Sequence, residues 1–232
     1  MNSGKPDNAE YGSITFAAGI ANGKDAIEPS TPFPQSITQI VAIYSYKLDA
    51  NSKWSEEWYL NGQIYSKYGG IWNGDTEGIA KSWMSAIRGL PPGRWELKSY
   101  VENTLVQSGT FTISELQPGL PNFGTVTFAE GLKDGKPVNP HDPRDPFALE
   151  TIQVVAFFSG INIRNDTVWT EEWYLNGVKQ TSVEYKGPQS TDASRMFTAR
   201  LNSIQRLPAG TYTLKLLVGE RVSQIATLVI GE

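Results

Sequence analysis

Few side chains in this sequence have the type and spacing to do chemistry. The paired carboxylates Glu56-Glu57 and Glu171-Glu172 are the nearest approach to an acid/base dyad of the kind that cleaves glycosidic bonds. Neighbours on a strand point to opposite faces, however, so the two cannot flank one bond. Glu57 is expected on the solvent face, and Glu56 near a strand start within reach of water. The single histidine, His141, lies in Pro140-His141-Asp142-Pro143-Arg144-Asp145, with carboxylates nearby but no counterpart in the first half of the chain. It reads as a solvated loop residue rather than as a general base. Asp142 and Asp145 could offer oxygen ligands to calcium, but the run of alternating acids that marks a calcium loop is missing. There is no cysteine, which removes thiol catalysis, zinc–thiolate sites and disulfides together. No Gly-x-Gly-x-x-Gly phosphate cradle opens a helix. The expectation is a chain without catalytic residues, metal or cofactor.

Aromatic residues are the remaining chemistry, and they make up 11% of the chain, with seven Trp and ten Tyr. Their positions follow a repeat. Glu56-Glu57-Trp58-Tyr59-Leu60-Asn61-Gly62 returns unchanged as Glu171-Glu172-Trp173-Tyr174-Leu175-Asn176-Gly177. Other matches extend it. Tyr11-Gly12-Ser13-Ile14-Thr15-Phe16-Ala17 pairs with Phe123-Gly124-Thr125-Val126-Thr127-Phe128-Ala129, and Thr38–Tyr44 with Ile152–Phe158. Leu90-Pro91-Pro92-Gly93-Arg94-Trp95 pairs with Leu207-Pro208-Ala209-Gly210-Thr211-Tyr212. A self-similarity of this length is a duplication, and it divides the 232 residues into two units of ordinary domain size.

Within each unit the apolar residues alternate with period two, the mark of half-buried strands. Asn-Gly after the tryptophan strand supplies the two positive-φ residues of a tight hairpin. The proline-bearing stretches Pro29–Pro34 and Pro137–Pro146 cannot donate to a central ladder and suit an edge or a loop. About seven short strands per unit and no helical period give an all-β chain of two tandem immunoglobulin-like antiparallel sandwiches. The divisions expected are a polar tail at 1–10, copy one at 11–115, a Pro/Gly linker at 116–122 and copy two at 123–232. The tail has no hydrophobic segment and reads as part of a longer natural protein.

In this frame Trp58, Trp173, Leu60, Leu175, Trp95 and Tyr212 are expected in the structural core. Tyr65, Tyr68 and Trp72 belong to one copy alone, so shared packing does not account for them. They are the candidate ligand-binding residues, with flat rings for a sugar face or a protein partner.

Together, Phe-Ala-x-Gly, Trp-Tyr-Leu-Asn-Gly, Leu-Pro-x-Gly-x-Tyr and Gln107-Ser108-Gly109-Thr110-Phe111-Thr112-Ile113 resemble accessory β-sandwich modules of secreted bacterial proteins. Trypsin-like proteases of filamentous environmental bacteria carry such modules. Copy two departs from the pattern at Gln224-Ile225-Ala226-Thr227-Leu228. The resemblance implies an extracellular or cell-surface, non-catalytic binding or positioning module within a larger polypeptide, its partner a protein or polysaccharide surface. A structural spacer and a carbohydrate-binding module are the alternatives. A formal net charge of −4, with neither half basic, argues against nucleic acid as a partner. No apolar run is long enough to insert in a membrane.

Overall fold

The computed structural model describes residues 9–188 and 196–231. Most of the expected N-terminal tail, and Gln189 of the copy-two loop, lie outside the described residues. The first half contributes β1 (Glu10–Tyr11), β2 (Thr15–Ala17), β3 (Gly19–Ala21), β4 (Asp25–Ile27), β5 (Gln39–Lys47), β6 (Lys53–Leu60), β7 (Gln63–Ile71), β8 (Glu77–Ser85), β9 (Gly93–Val101) and β10 (Thr104–Ile113). The second contributes β11 (Asn122–Phe123), β12 (Thr127–Lys133), β13 (Lys136–Pro140), β14 (Gln153–Ile161), β15 (Val168–Leu175), β16 (Val178–Lys186), β17 (Met196–Asn202), β18 (Gly210–Val218) and β19 (Arg221–Ile230).

Both halves build the same pair of sheets. In copy one, β5 carries β1 and β2 along one side and β8 along the other, and faces a sheet ordered β10-β9-β6-β7. In copy two, β14 carries β11, β12 and β17, and faces β16-β15-β18-β19. The chain is thus two immunoglobulin-like sandwiches in tandem. Apolar strands β5 and β14 are central, as their unbroken hydrophobic runs require. The proline stretches run along edges. Phe33 bridges Ile113 and Phe147 bridges Ile230 in parallel, while Pro137 and Pro140 sit in β13, the edge strand beyond β12.

The duplicated turn and corner have duplicated geometry. Asn61 and Gly62 have φ of 49° and 81°, Asn176 and Gly177 48° and 79°, so both hairpins use the left-handed region at both turn positions. Trp58 and Trp173 are fully buried and face Leu97 and Leu214 in register. Leu60 and Leu175 pack on the edges of the two cores. At the sheet-to-sheet corner, Trp95 donates Nε1–H to the Pro91 carbonyl at 3.0 Å, and Tyr212 donates its hydroxyl to the Pro208 carbonyl, also at 3.0 Å. An indole in one copy therefore does the work of a phenol in the other. Tyr212→Phe and Trp95→Phe should each lower stability by about 0.5–1.5 kcal/mol in urea titration, the net worth of one hydrogen bond. Unequal losses much beyond that would mean that ring volume, not the bond, holds the corner.

The departure of copy two at Gln224–Leu228 is an interface. Ser108 and Thr110 of β10 are exposed, whereas their counterparts Ile225 and Thr227 of β19 are buried against copy one. Ile225 joins the apolar cluster of Phe16, Phe33 and Ile37. Thr227 Oγ1 donates to the Ala18 carbonyl at 3.0 Å and accepts from Gln39 Nε2. Thr211 Oγ1 donates to the Ile20 carbonyl at 2.6 Å, Gln224 Nε2 to the Ser36 carbonyl at 3.1 Å, and Lys215 pairs with Glu28 at 2.7 Å.

Candidate functional site

The duplication allows each inward-facing residue of copy one to be compared with its register partner in copy two. At the end of the copy-two sandwich near Trp169, the rings of Phe123, Phe158, Phe197 and Trp169 meet at centroid distances of 5.1–6.3 Å. Tyr185 stacks on Trp169 at 4.3 Å. Leu216 closes the floor, with none of its surface exposed. This end is filled.

The same end of copy one is hollow. Tyr11 stands for Phe123, Tyr44 for Phe158, Ala80 for Phe197, Ser99 for Leu216 and Ser82 for Ala199. The lost volume leaves a cavity of about 280 Å³, lined by Tyr11, Tyr44, Trp54, Glu56, Tyr68 and Trp72 among others. Ile79, Ala80 and Lys81 also border it, placing it along the side where edge strands β7 and β8 leave the two sheets unjoined. Its aromatic walls are mutually edge-on: Trp72 meets Tyr46 at 4.9 Å and 70° and Trp54 at 6.1 Å and 82°.

Glu56 is the polar centre of this hollow. The expectation that solvent reaches it is wrong: the residue is 4% exposed. It faces inward from β6, and the side chains of Tyr68 on β7 and Ser82 on β8, invisible in the local sequence, lie against it. The Tyr44 hydroxyl donates to Oε1, and Ser82 Oγ donates to Oε2 at 2.6 Å. Trp58 turns its Nε1–H to the Tyr68 hydroxyl at 2.7 Å and to Ser82 Oγ at 3.3 Å, and Tyr68 and Ser82 are themselves hydrogen-bonded. Copy two handles its equivalent carboxyl differently. Trp173 Nε1 donates directly to Glu171 at 2.7 Å, Tyr185 adds a bond at 3.2 Å, and burial pushes the Glu171 pKa up.

Burial, reinforced by the nearby Glu56 charge, also holds the phenols protonated. Tyr11 and Tyr68 are each pushed up to about 12, and Tyr44 is raised as well. At neutral pH these hydroxyls therefore keep their protons. Ser99 Oγ is buried without a hydrogen-bond partner of ordinary geometry, and it acts on Tyr44 by drawing that phenol's pKa down against the larger upward push.

Glu57 lies on the opposite face, as strand alternation requires, yet it too is buried rather than solvated. Tyr59 donates to it at 2.5 Å and Lys67 pairs with it at 2.6 Å, and those bonds hold its carboxyl below the usual range. The two glutamates serve two different faces.

The three candidate aromatics separate. Tyr68 and Trp72 line the hollow. Tyr65 sits at the other end of the strand, exposed, with its ring edge-on to Trp95 at 4.7 Å. Sequence comparison missed Tyr11, Tyr44, Ala80 and Ser99, although each differs from its copy-two counterpart in a way that removes bulk or adds a hydroxyl. The loop acids are dispersed. His141 stacks on Phe147 at 3.7 Å, Asp142 is engaged by Arg144, and among the described residues no group of three acidic or histidine side chains could hold a metal ion.

No family model matches the chain, and no curated protein matches it. Solved structures with similarity include the titin domains Z1Z2 in complex with telethonin, at 13% identity and a TM-score of 0.28, covering 97% of this chain and 96% of that one. Dimeric latent PorU from Porphyromonas gingivalis is 11% identical with a TM-score of 0.31 over 99% of this chain, which spans 21% of that protein. A chimeric titin Z1Z2-Z1Z2 tandem is 12% identical with a TM-score of 0.27 over 85% of this chain and 92% of that one. At those scores the fold assignment rests on the chain's own sheet topology.

Proposed function

We propose that the chain is a non-catalytic binding module of a larger secreted or cell-surface protein, in which copy one holds a ligand and copy two fixes its orientation. One observation carries this reading. Two sandwiches with the same strand register differ at one end, where copy two packs Phe123, Phe158, Phe197 and Leu216 and copy one has Tyr11, Tyr44, Ala80 and Ser99 around a hollow. Close packing is the default of a protein interior, so an unfilled end lined with rings and hydroxyls is a feature that stability alone does not call for. The extracellular setting follows the resemblance to accessory modules of secreted proteins.

A spacer is the competing reading, and the bonded contact between the copies favours it, since a stiff tandem suits a stalk. Transplanting the copy-two residues separates the two. Ser99→Leu and Ala80→Phe fill the hollow, and Tyr46→Gly makes room, because Phe197 occupies the space that a side chain at Gly160 would take. A panel of small organic probes and soluble oligosaccharides is followed through the fluorescence of Trp54 and Trp72. The native chain should bind at least one member that the filled variant does not, with the melting temperature of the variant unchanged or raised. Equal behaviour of the two proteins toward the whole panel would favour the spacer.

A further inference from the structure

We propose that the hollow of copy one binds an organic ammonium group, the protonated or methylated nitrogen of an alkyl amine whose stem leaves between β7 and β8. The inference rests on reading the hollow as a binding site and names what enters it. Its first support is an uncompensated buried acid. Glu56 is 4% exposed, yet among the described residues no cation lies within ion-pairing distance of it. A buried carboxylate without a cation is costly. Copy two shows how this fold meets that need when the end is filled: the indole N–H turns onto the carboxyl. In copy one the indole N–H is turned away to Tyr68 and Ser82, leaving the Glu56 carboxyl held by neutral hydroxyls, Tyr44 on Oε1 and Ser82 on Oε2.

The second support is the wall. Tyr11, Tyr44, Tyr46, Trp54, Tyr68 and Trp72 surround the space on several sides. The negative faces of such rings attract an ammonium within about 6 Å of their centroids. Trp72 stands edge-on to Tyr46 and Trp54, and Trp54 to Tyr68, while Tyr11 and Tyr44 are tilted by 36°, so the rings form no single flat platform, which suits a compact head group better than a pyranose face. Lys81 borders the cavity but directs its ammonium toward Gly23, 3.8 Å from where a Cβ there would stand, so it does not fill the role itself. The third support is polarity: the Tyr44 and Ser82 hydroxyl protons are both committed to Glu56. What those two hydroxyls leave beside the acid is oxygen lone pairs, which suit an N–H donor or the positive field of a methylated nitrogen. A volume of about 280 Å³ admits one head group and the start of its chain.

Such a nitrogen could belong to a free amine or to a lysine side chain of a partner protein. The test titrates the full chain with butylammonium, choline and tetramethylammonium, with short peptides bearing lysine or trimethyllysine, with 3,3-dimethylbutanol as the neutral isostere of choline, and with glucose and cello-oligosaccharides. The readout is Trp54 and Trp72 fluorescence checked by calorimetry. Ammonium probes should bind at least tenfold more tightly than 3,3-dimethylbutanol. Glu56→Gln should erase most of that preference without lowering the melting temperature, and the filled variant should bind none of the probes. Tighter binding of the peptides assigns a lysine-bearing partner, and tighter binding of the free amines assigns a small metabolite. Equal binding of choline and its neutral isostere, or indifference to Glu56→Gln, would overturn the ammonium assignment. Binding of a sugar or the neutral isostere that the filled variant abolishes would overturn it while leaving the hollow a binding site. No binding of any probe would overturn the inference, and the broader panel would then decide the binding reading separately.

Discussion

Phe197→Ala should lower the stability of the protein by about 3–5 kcal/mol, the usual loss for a buried phenylalanine. Phe197 is 2% exposed and packs against Phe123, Phe158 and Trp169 at 5.7, 5.9 and 5.6 Å. Beneath it lies Gly160, which has no side chain to fill the space left. The substitution gives copy two the residue that copy one has naturally at Ala80, yet not the hydroxyls that make copy one tolerate it. The large cost is therefore specific to an end with no polar lining. Urea unfolding measures it, and an unchanged midpoint would mean that the ring cluster is not what holds this end together.

Trp58→Ala should cost a similar amount, about 3–5 kcal/mol. The conservative variants are more informative. Trp58→Phe keeps most of the ring and removes an N–H whose two acceptors, Tyr68 and Ser82, remain bonded to each other. Trp173→Phe removes an N–H from Glu171, a carboxyl already under strain from burial. Leaving such a group short of a partner costs about 1–3 kcal/mol, so Trp173→Phe should be the more damaging of the two. Equal losses in paired denaturation curves would show that the two indole N–H groups are interchangeable. Because Ile225 of copy two packs into the copy-one cluster, both variants should broaden or shift a shared transition rather than melt one copy in isolation.

The strand plan was legible because its signals are local. Alternation marks a strand wherever it occurs, and Asn61-Gly62 or Asn176-Gly177 demands its turn whatever lies beyond. The burial of Glu56 was not legible, since the side chains that lie against it, Tyr68 on β7 and Ser82 on β8, come from a distance in sequence. Grouping Tyr65 with Tyr68 and Trp72 failed for a related reason. Tyr65 follows the Asn61-Gly62 hairpin closely and is the residue left unpaired where the register of β6 with β7 shifts between Trp58 and Tyr59. Its ring therefore meets Trp95, while Tyr68, opposite Glu56, lies farther along the strand at the hollow. The hollow itself was written in the sequence as a set of differences, Tyr44 against Phe158 and Ser99 against Leu216. Those differences gain meaning once register places them around one point. Ile225 and Thr227 stood out as a departure from the repeat, but a single strand does not say what it will touch.

The seating of Ile225 and Thr227 against copy one also sets an order of events during synthesis. Thr227 bonds Ala18 across 209 positions, and Thr211 bonds Ile20 across 191. Copy one can form its own sheets as soon as β10 has left the ribosome, but Ala18 and Ile20 wait for the hydroxyls of Thr227 and Thr211, translated about a hundred residues after it. At about 5–20 residues per second the interval is on the order of ten seconds. During it, an apolar flank of a nearly finished domain is open to other nascent chains. Contacts so distant in sequence form late and close slowly. The charged pair Lys215–Glu28, at the margin of the same flank, is placed to draw the incoming sandwich into its one correct seat.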